Sequence, residues 1–79
     1  MGKIDNKIVV QNVAISSEYI TLGQFLKFVR IIEEGGMAKV YLKAHKVLIN
    51  GEEDNRRGRK LRPGDSLTLE EGTYLIKSK

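Results

Sequence analysis

The stretch MAKVYLKAHKVLING, residues 37–51, changes its hydrophobic period halfway and so sets the order of the elements. Its first part has apolar residues at i, i+3, i+4 and i+7, which predicts a short helix over residues 37–45. These apolar residues are Met37, Val40, Tyr41 and Ala44. From residue 47 the period falls to two, and VLING predicts a strand that ends in an Asn-Gly hairpin turn.

The same helix carries a second stripe, made of lysines. Lys39, Lys43 and Lys46 lie almost opposite the apolar residues, because successive helical positions turn by about 100°. We expect the apolar face, including Met37 and Tyr41, to pack against the preceding helix. The lysine face then presents three ammonium groups to solvent.

Upstream, ITLGQFLKFVRII contains the start of a first helix. Thr21 is a good N-cap, and Gln24 three residues later completes a capping box. Ile20 and Phe25 have the spacing of a hydrophobic staple. The predicted buried face of this helix comprises Leu22, Phe25, Leu26, Val29 and Ile32.

Turn signals delimit the remaining elements. Gly35-Gly36 predicts the end of the first helix, since glycine adopts the left-handed conformation without a Cβ clash. Residues 7–15 are rich in β-branched side chains and predict an N-terminal strand. Pro63-Gly64 predicts a type II turn, and residues 66–70 and 73–76 predict two final strands. The N-terminal strand could join this sheet or cover the first helix.

Composition fits one small domain of 79 residues, with 41% hydrophobic and 30% charged residues. The chain has no cysteine, which excludes disulfides and thiolate metal sites and fits a reducing compartment. No apolar run approaches the roughly 18 residues of a membrane span. We therefore expect a cytoplasmic protein.

The positive charge is concentrated in the middle of the chain. Residues 35–62 carry eight Lys and Arg against three acidic residues, which gives +5. The remaining residues carry six basic and seven acidic residues, which gives −1. The densest part, NRRGRKLR at residues 55–62, is called the arginine-rich stretch. It contains Arg56, Arg57, Arg59, Lys60 and Arg62.

A run of charges is most often plain solvated surface. Here arginine outnumbers lysine three to one over residues 56–60, and arginine's planar fork suits phosphate and base recognition. Gly58 lets the backbone pass close to a phosphate. Together with the lysine stripe, these features favour a nucleic-acid surface.

Residues 22–76 resemble the S4 RNA-binding domain, also called the alpha-L motif. The resemblance is carried by residues 22–26, AKVYL, VLING and RPGDSLTL. More closely, ITLGQFLK, GGMAK and DNRRGRKL are similar to small single-domain proteins of the YaaA type. The resemblance implies an α+β fold with two short helices against a small twisted antiparallel sheet. Residues 21–76 would form the motif, with residues 1–20 an N-terminal extension containing a strand, all within a single domain over 1–79.

The resemblance also implies a partner, namely structured RNA, ribosomal RNA or a ribosomal particle above all. Many family members have Ser-Arg shortly before the second helix, where this chain has Glu34-Gly35, and a glycine where His45 stands. The arginine of that pair commonly faces RNA, and we infer that the arginine-rich stretch replaces it. Lys39 matches a position that is often basic in the family. The expected RNA-binding residues are Lys39, Lys43, Lys46, Arg56, Arg57, Arg59, Lys60 and Arg62.

Recognition by RNA shape is favoured over stacking on single strands, because the five aromatic residues mostly fall on predicted core faces and none interleaves with the basic residues. Two rivals stay open: a module that docks an acidic protein, and a binder of any nucleic acid. An anionic membrane is disfavoured, since the chain lacks an amphipathic helix with large exposed apolar residues.

Catalysis and cofactor binding find little support in the sequence. One histidine and no cysteine make a metal site improbable. No nucleophile–base pair or GxxxxGK phosphate loop is present. We expect Glu52, Glu53 and Asp54 to be solvated and to pair with the arginines, and His45 to be a helix-capping residue. The chain is expected to be a non-enzyme without cofactor, metal or small-molecule substrate.

Overall fold

The computed structural model describes residues 10–79, and the α+β class is confirmed. The helices are α1 (Leu22–Phe28) and α2 (Ala38–Ala44), with a 3₁₀ turn at Gly35–Met37 directly before α2. The strands are β1 (Val10–Ile15), β2 (Ile20–Thr21), β3 (Leu48–Ile49), β4 (Glu52–Glu53), β5 (Lys60–Leu61), β6 (Ser66–Leu69) and β7 (Gly72–Ser78). Neither helix in residues 10–79 has the length and apolarity to cross a membrane.

Five strands form one mixed sheet in the order β1-β7-β6-β3-β4. β3 pairs antiparallel with β4 and with β6, and β6 pairs antiparallel with β7, as expected. β1 instead pairs parallel with β7, with Val13 opposite Ile76, so the N-terminal strand joins the sheet at its edge. Of the two placements that the sequence left open for the N-terminal strand, the structure has it in the sheet, and its parallel pairing makes that sheet mixed. Residues 7–9 of the predicted strand lie outside the described residues.

The predicted start of α1 is confirmed. The Gln24 backbone N–H donates to Thr21 Oγ1 at 3.2 Å, and the Thr21 N–H donates to Gln24 Oε1 at 2.9 Å, which completes the capping box. The free N–H groups of the next two residues donate to the arginine-rich stretch. Leu22 N–H bonds to the Arg59 carbonyl at 2.8 Å and Gly23 N–H to the Arg57 carbonyl at 2.9 Å.

The predicted end of α1 at Gly35-Gly36 is wrong, because the helix ends at Phe28. Arg30 takes the left-handed conformation at φ 65° and donates to the Lys27 carbonyl at 3.0 Å. Ile31 N–H donates to the Leu26 carbonyl at 2.9 Å. These two bonds form a Schellman motif. It turns the chain so that Ile32 enters the core.

The face that α2 buries also differs from the prediction. Ala38, Tyr41 and Leu42 are buried, whereas Met37 is 46% and Val40 69% exposed. Because α1 ends early, Ile31 and Ile32 pack against the core. On α2 it is then Ala38 and Leu42, with Tyr41, that face this core. The interpretation of Tyr41 as a core residue holds, and that of Met37 is wrong.

Both predicted turns are confirmed by the backbone. Asn50 and Gly51 have φ of 53° and 86°, as a two-residue type I′ turn requires, and Ile49 pairs with Glu52 across it. Gly64 has φ of 100°, and the Asp65 N–H donates to the Arg62 carbonyl at 2.9 Å. The Asn50 amide joins the two turns by accepting from the Ser66 N–H at 3.0 Å.

Candidate nucleic-acid interface

A groove of about 340 Å³ lies between α2 and the arginine-rich stretch. We call it the lysine–arginine groove, and it is lined by Lys39, Leu42, Lys43, Asn55 and Arg57. Three of these five residues are cationic and none is acidic. The groove therefore concentrates positive charge in a concave surface, where an anion would meet several donors at once.

Local structure explains how these three cations meet. Lys39 and Lys43 are four residues apart and so lie one above the other on the exposed face of α2. Arg57 is anchored by its carbonyl, which accepts from Gly23 N–H at the start of α1. A Cβ at Gly23 would lie 3.4 Å from that carbonyl oxygen, so the two backbones pass closely here. The backbone is thus held while the arginine side chain stays exposed.

Arg56 and Arg59 have a different environment, because both bind Asp54. Arg56 Nη2 lies 2.8 Å and Arg59 Nη1 3.0 Å from Asp54 Oδ2. Hydrogen bonds from Arg56 are the main reason that the pKa of Asp54 lies well below its usual range. The expected pairing with the arginines is confirmed for Asp54. The expectation that all three acidic residues are solvated holds for Glu52 and Glu53 and is wrong for Asp54, whose side chain is only 9% exposed.

The other predicted residues lie beside these two groups. Lys46 lines a hollow with Lys43 that also contains Glu53 and Asp54, so its charge has acidic neighbours. Asn55 borders this hollow, the lysine–arginine groove and a third hollow next to Arg56 and Arg59. Sequence reasoning did not single out Asn55, and its position before the arginine pair is the signal that could have indicated it.

Lys60 and Arg62 contact an aromatic ring. Lys60 Nζ lies 4.9 Å and Arg62 Cζ 5.7 Å from the centre of the Tyr19 ring. The expectation that no aromatic residue interleaves with the basic residues is therefore wrong. Pairing of β2 with β5, with Thr21 opposite Lys60, brings these distant parts of the chain together.

His45 and Tyr41 connect α2 to the β6–β7 turn. Their rings stack with centres 4.4 Å apart. His45 Nδ1 lies 3.0 Å from Glu70 Oε2, but the contact lacks hydrogen-bond geometry, and this buried nitrogen has no hydrogen-bond partner among residues 10–79. Tyr41 Oη donates to Glu71 Oε1 at 2.7 Å, and burial together with this bond raises the pKa of the Tyr41 hydroxyl. His45 is the C-cap of α2, as predicted.

The described residues contain no group of three or more His, Cys, Asp or Glu side chains that could hold a metal ion.

The eight predicted binding residues divide into groups with different environments. Lys39, Lys43 and Arg57 share a groove without acidic side chains, and Lys43 also borders, with Lys46, the hollow that contains Glu53 and Asp54. Arg56 and Arg59 share Asp54, and Lys60 and Arg62 contact Tyr19. A polyanion would meet the first group without displacing an internal ion pair.

Comparison with known proteins gives two matches. The family model described as S4 domain matches residues 13–77, most of the chain. A relative from Bacillus subtilis (strain 168), named probable ribosome maturation protein RlbA, is 57% identical over 58 residues. These residues cover 73% of this chain and 82% of the relative. No solved structure matches the chain.

Proposed function

The chain belongs to the S4 domain family, and from this premise we propose that it binds structured ribosomal RNA, alone or in a ribosomal particle. The observation that carries the proposal is the lysine–arginine groove, where Lys39, Lys43 and Arg57 meet without an acidic residue. The name of the Bacillus subtilis relative supports a role in ribosome maturation. We propose that this role is non-catalytic and is carried out in the cytoplasm.

The proposed mechanism is electrostatic positioning. Lys39 and Lys43 offer two ammonium groups one helical turn apart, and Arg57 offers a planar fork from the opposite wall of the groove. Contacts of this kind fix the register of the RNA backbone and carry little base information. Structured RNA is then selected by its shape, since only a fold that presents phosphates to both walls engages all three cations.

The remaining basic residues add contacts around this centre. Arg56 retains exposed guanidinium surface while bound to Asp54. Lys46 lies beyond the end of α2, contrary to its predicted place on the helix face, but it lines a hollow with Lys43. Lys60 and Arg62 with Tyr19 offer a second contact area that combines charge with a ring face. Arginine and aromatic side chains both stack on bases, so this area suits an unpaired nucleotide next to the structured region.

The test compares two nucleic acids of equal length, a structured ribosomal RNA fragment and a DNA duplex, by fluorescence anisotropy at several salt concentrations. We expect tighter binding to the RNA and a steep fall of affinity with salt. Equal and weak binding to both would contradict the proposal and leave a generic cationic surface. Binding to an acidic protein that RNA does not displace would favour the rival reading as a protein-interaction module.

A further inference from the structure

An apolar groove of about 290 Å³ lies on the side of α2 away from the lysine–arginine groove. We call it the apolar groove; it is lined mainly by Ile31, Ile32, Met37, Val40, Tyr41 and Ala44. Single exposed apolar residues are common in soluble proteins, but here two of them border one concave surface. Val40, on α2, is 69% exposed, and Met37, three residues before it, is 46% exposed.

The rim of the apolar groove is acidic. Tyr41 and His45 both line the groove and contact glutamates. Tyr41 Oη donates to Glu71 Oε1 at 2.7 Å, and His45 Nδ1 lies 3.0 Å from Glu70 Oε2. Glu33 and Glu34 are exposed and directly follow Ile32, and Arg30, also exposed, directly precedes Ile31. Four carboxylates against one guanidinium therefore belong to the segments that border the apolar surface, which leaves its surroundings acidic. This charge repels RNA phosphates and attracts cationic side chains.

We propose that the apolar groove docks a short amphipathic segment of a partner protein, with apolar side chains in the groove and Lys or Arg side chains against the flanking glutamates. A helix with apolar residues at i, i+3 or i+4, and i+7 presents this combination of groups. The small volume of the groove makes the contact a weak and reversible one.

A second copy of the chain is a poorer occupant. In a two-fold contact the same patch meets itself, so the acidic rim of one copy would face the acidic rim of the other. Like charges at a closing interface oppose association. The cationic partner segment has no such conflict.

The two grooves use opposite faces of α2. Lys39 and Lys43 line the lysine–arginine groove, whereas Val40 and Ala44 line the apolar groove. The protein can therefore hold RNA and a basic polypeptide segment at the same time. Docking of the segment goes beyond the proposed RNA binding and does not depend on it, whereas the linking of segment and RNA rests on the proposed function.

The test uses three synthetic peptides and amide NMR spectra of the isotope-labelled protein. The first is a 12-residue amphipathic peptide with leucines at helical spacing and lysines elsewhere; the second replaces its lysines by glutamates; the third has the lysine peptide's composition in scrambled order. We expect the first to shift amides of Ile31, Met37, Val40 and Ala44 with a dissociation constant below about 1 mM. The other two should bind at least about tenfold more weakly.

Two variants locate the contact. Val40→Asp places a charge in the centre of an exposed site and should weaken the lysine peptide at least about tenfold. The exposed pair Glu33→Lys and Glu34→Lys should do so through charge alone. Val40→Asp should leave the binding of structured RNA unchanged. The Glu33→Lys, Glu34→Lys variant should bind RNA as tightly or more tightly, because its net charge rises by four. Loss of peptide binding with RNA binding retained separates this proposal from the proposed function.

The opposite results are equally clear. No shift at millimolar peptide, shifts confined to the lysine–arginine groove, or equal binding of the glutamate or scrambled peptide would overturn the proposal. Self-association in sedimentation that Val40→Asp abolishes would assign the groove to a second copy instead.

Discussion

Replacing Arg57 with glutamine tests whether the lysine–arginine groove holds the RNA, with Arg56→Gln as the matched control. Both variants remove one exposed positive charge at adjacent positions, so the net charge is the same. Arg56 is bound to Asp54 at 2.8 Å, whereas no acidic side chain among residues 10–79 lies within ion-pair distance of Arg57. Only Arg57 lines the groove with Lys39 and Lys43.

The magnitude follows from counterion release. Each phosphate neutralised contributes about −0.9 to the slope of log affinity against log salt, so three groove cations give about −2.7. The part of the affinity that comes from the groove should then fall about 40-fold between 50 mM and 200 mM salt, in addition to the salt dependence of the surrounding contacts. Arg57→Gln reduces the groove's share of the slope to about −1.8, so that the same change of salt weakens this part only about 12-fold.

Arg56→Gln should change this slope by less than half as much, since its guanidinium is engaged by Asp54 and lies outside the groove. Fluorescence anisotropy with a structured ribosomal RNA fragment measures both slopes, and thermal melts verify that each variant folds. The control variant should melt slightly lower because it loses the bond to Asp54. Equal changes of slope in the two variants, or a larger one for Arg56→Gln, would refute the assignment of the groove.

Four further predictions concern stability. Thr21→Ala removes the capping box and should cost about 1 kcal/mol, while Thr21→Ser should cost little; a denaturant titration compares them. Arg30→Gly relieves the left-handed conformation at φ 65° and should stabilise the protein by about 0.5–1 kcal/mol, whereas Arg30→Ala should not. The pKa of Asp54 is lowered by Arg56, so its contribution to stability is present above about pH 4 and should be lost as the pH falls further; Asp54→Asn should weaken this dependence in acid titrations. The pKa of Tyr41 is raised by burial and by its bond to Glu71, so stability should fall as the pH rises above about 10, and Tyr41→Phe should remove that fall in alkaline melts followed by circular dichroism.

Much of the fold could be read from short-range chemistry. The Thr21–Gln24 capping box, the Asn50-Gly51 turn and the Pro63-Gly64 turn all form as their residues predict. Each depends on neighbours within a few positions, so the residue types alone are sufficient. The existence of both helices and of β3, β6 and β7 was predictable for the same reason, whereas the two-residue strands β2, β4 and β5 were not predicted.

The misread parts depend on packing. The helix α1 ends at Phe28 because Ile32 is buried, and Arg30 then takes a conformation that glycine usually provides. The apolar face predicted for α2 was drawn from spacing, but the helix rotates so that Val40 faces outward and Leu42 inward. Hydrophobic periodicity predicts that apolar residues share one face of a helix. It does not determine which of the adjacent apolar residues, here Val40 or Leu42, is buried.

For the candidate site, the sequence alone determined the number of cations and their concentration between residues 35 and 62. Tertiary structure decided their environments, since only the fold places Arg57 opposite Lys39 and Lys43 and gives Arg56 and Arg59 to Asp54. It also brought Tyr19 against Lys60 through the β2–β5 pair, and β1 parallel against β7. The physical reason is that charge is a property of each residue, whereas the net field at a surface depends on which side chains meet across distant parts of the chain.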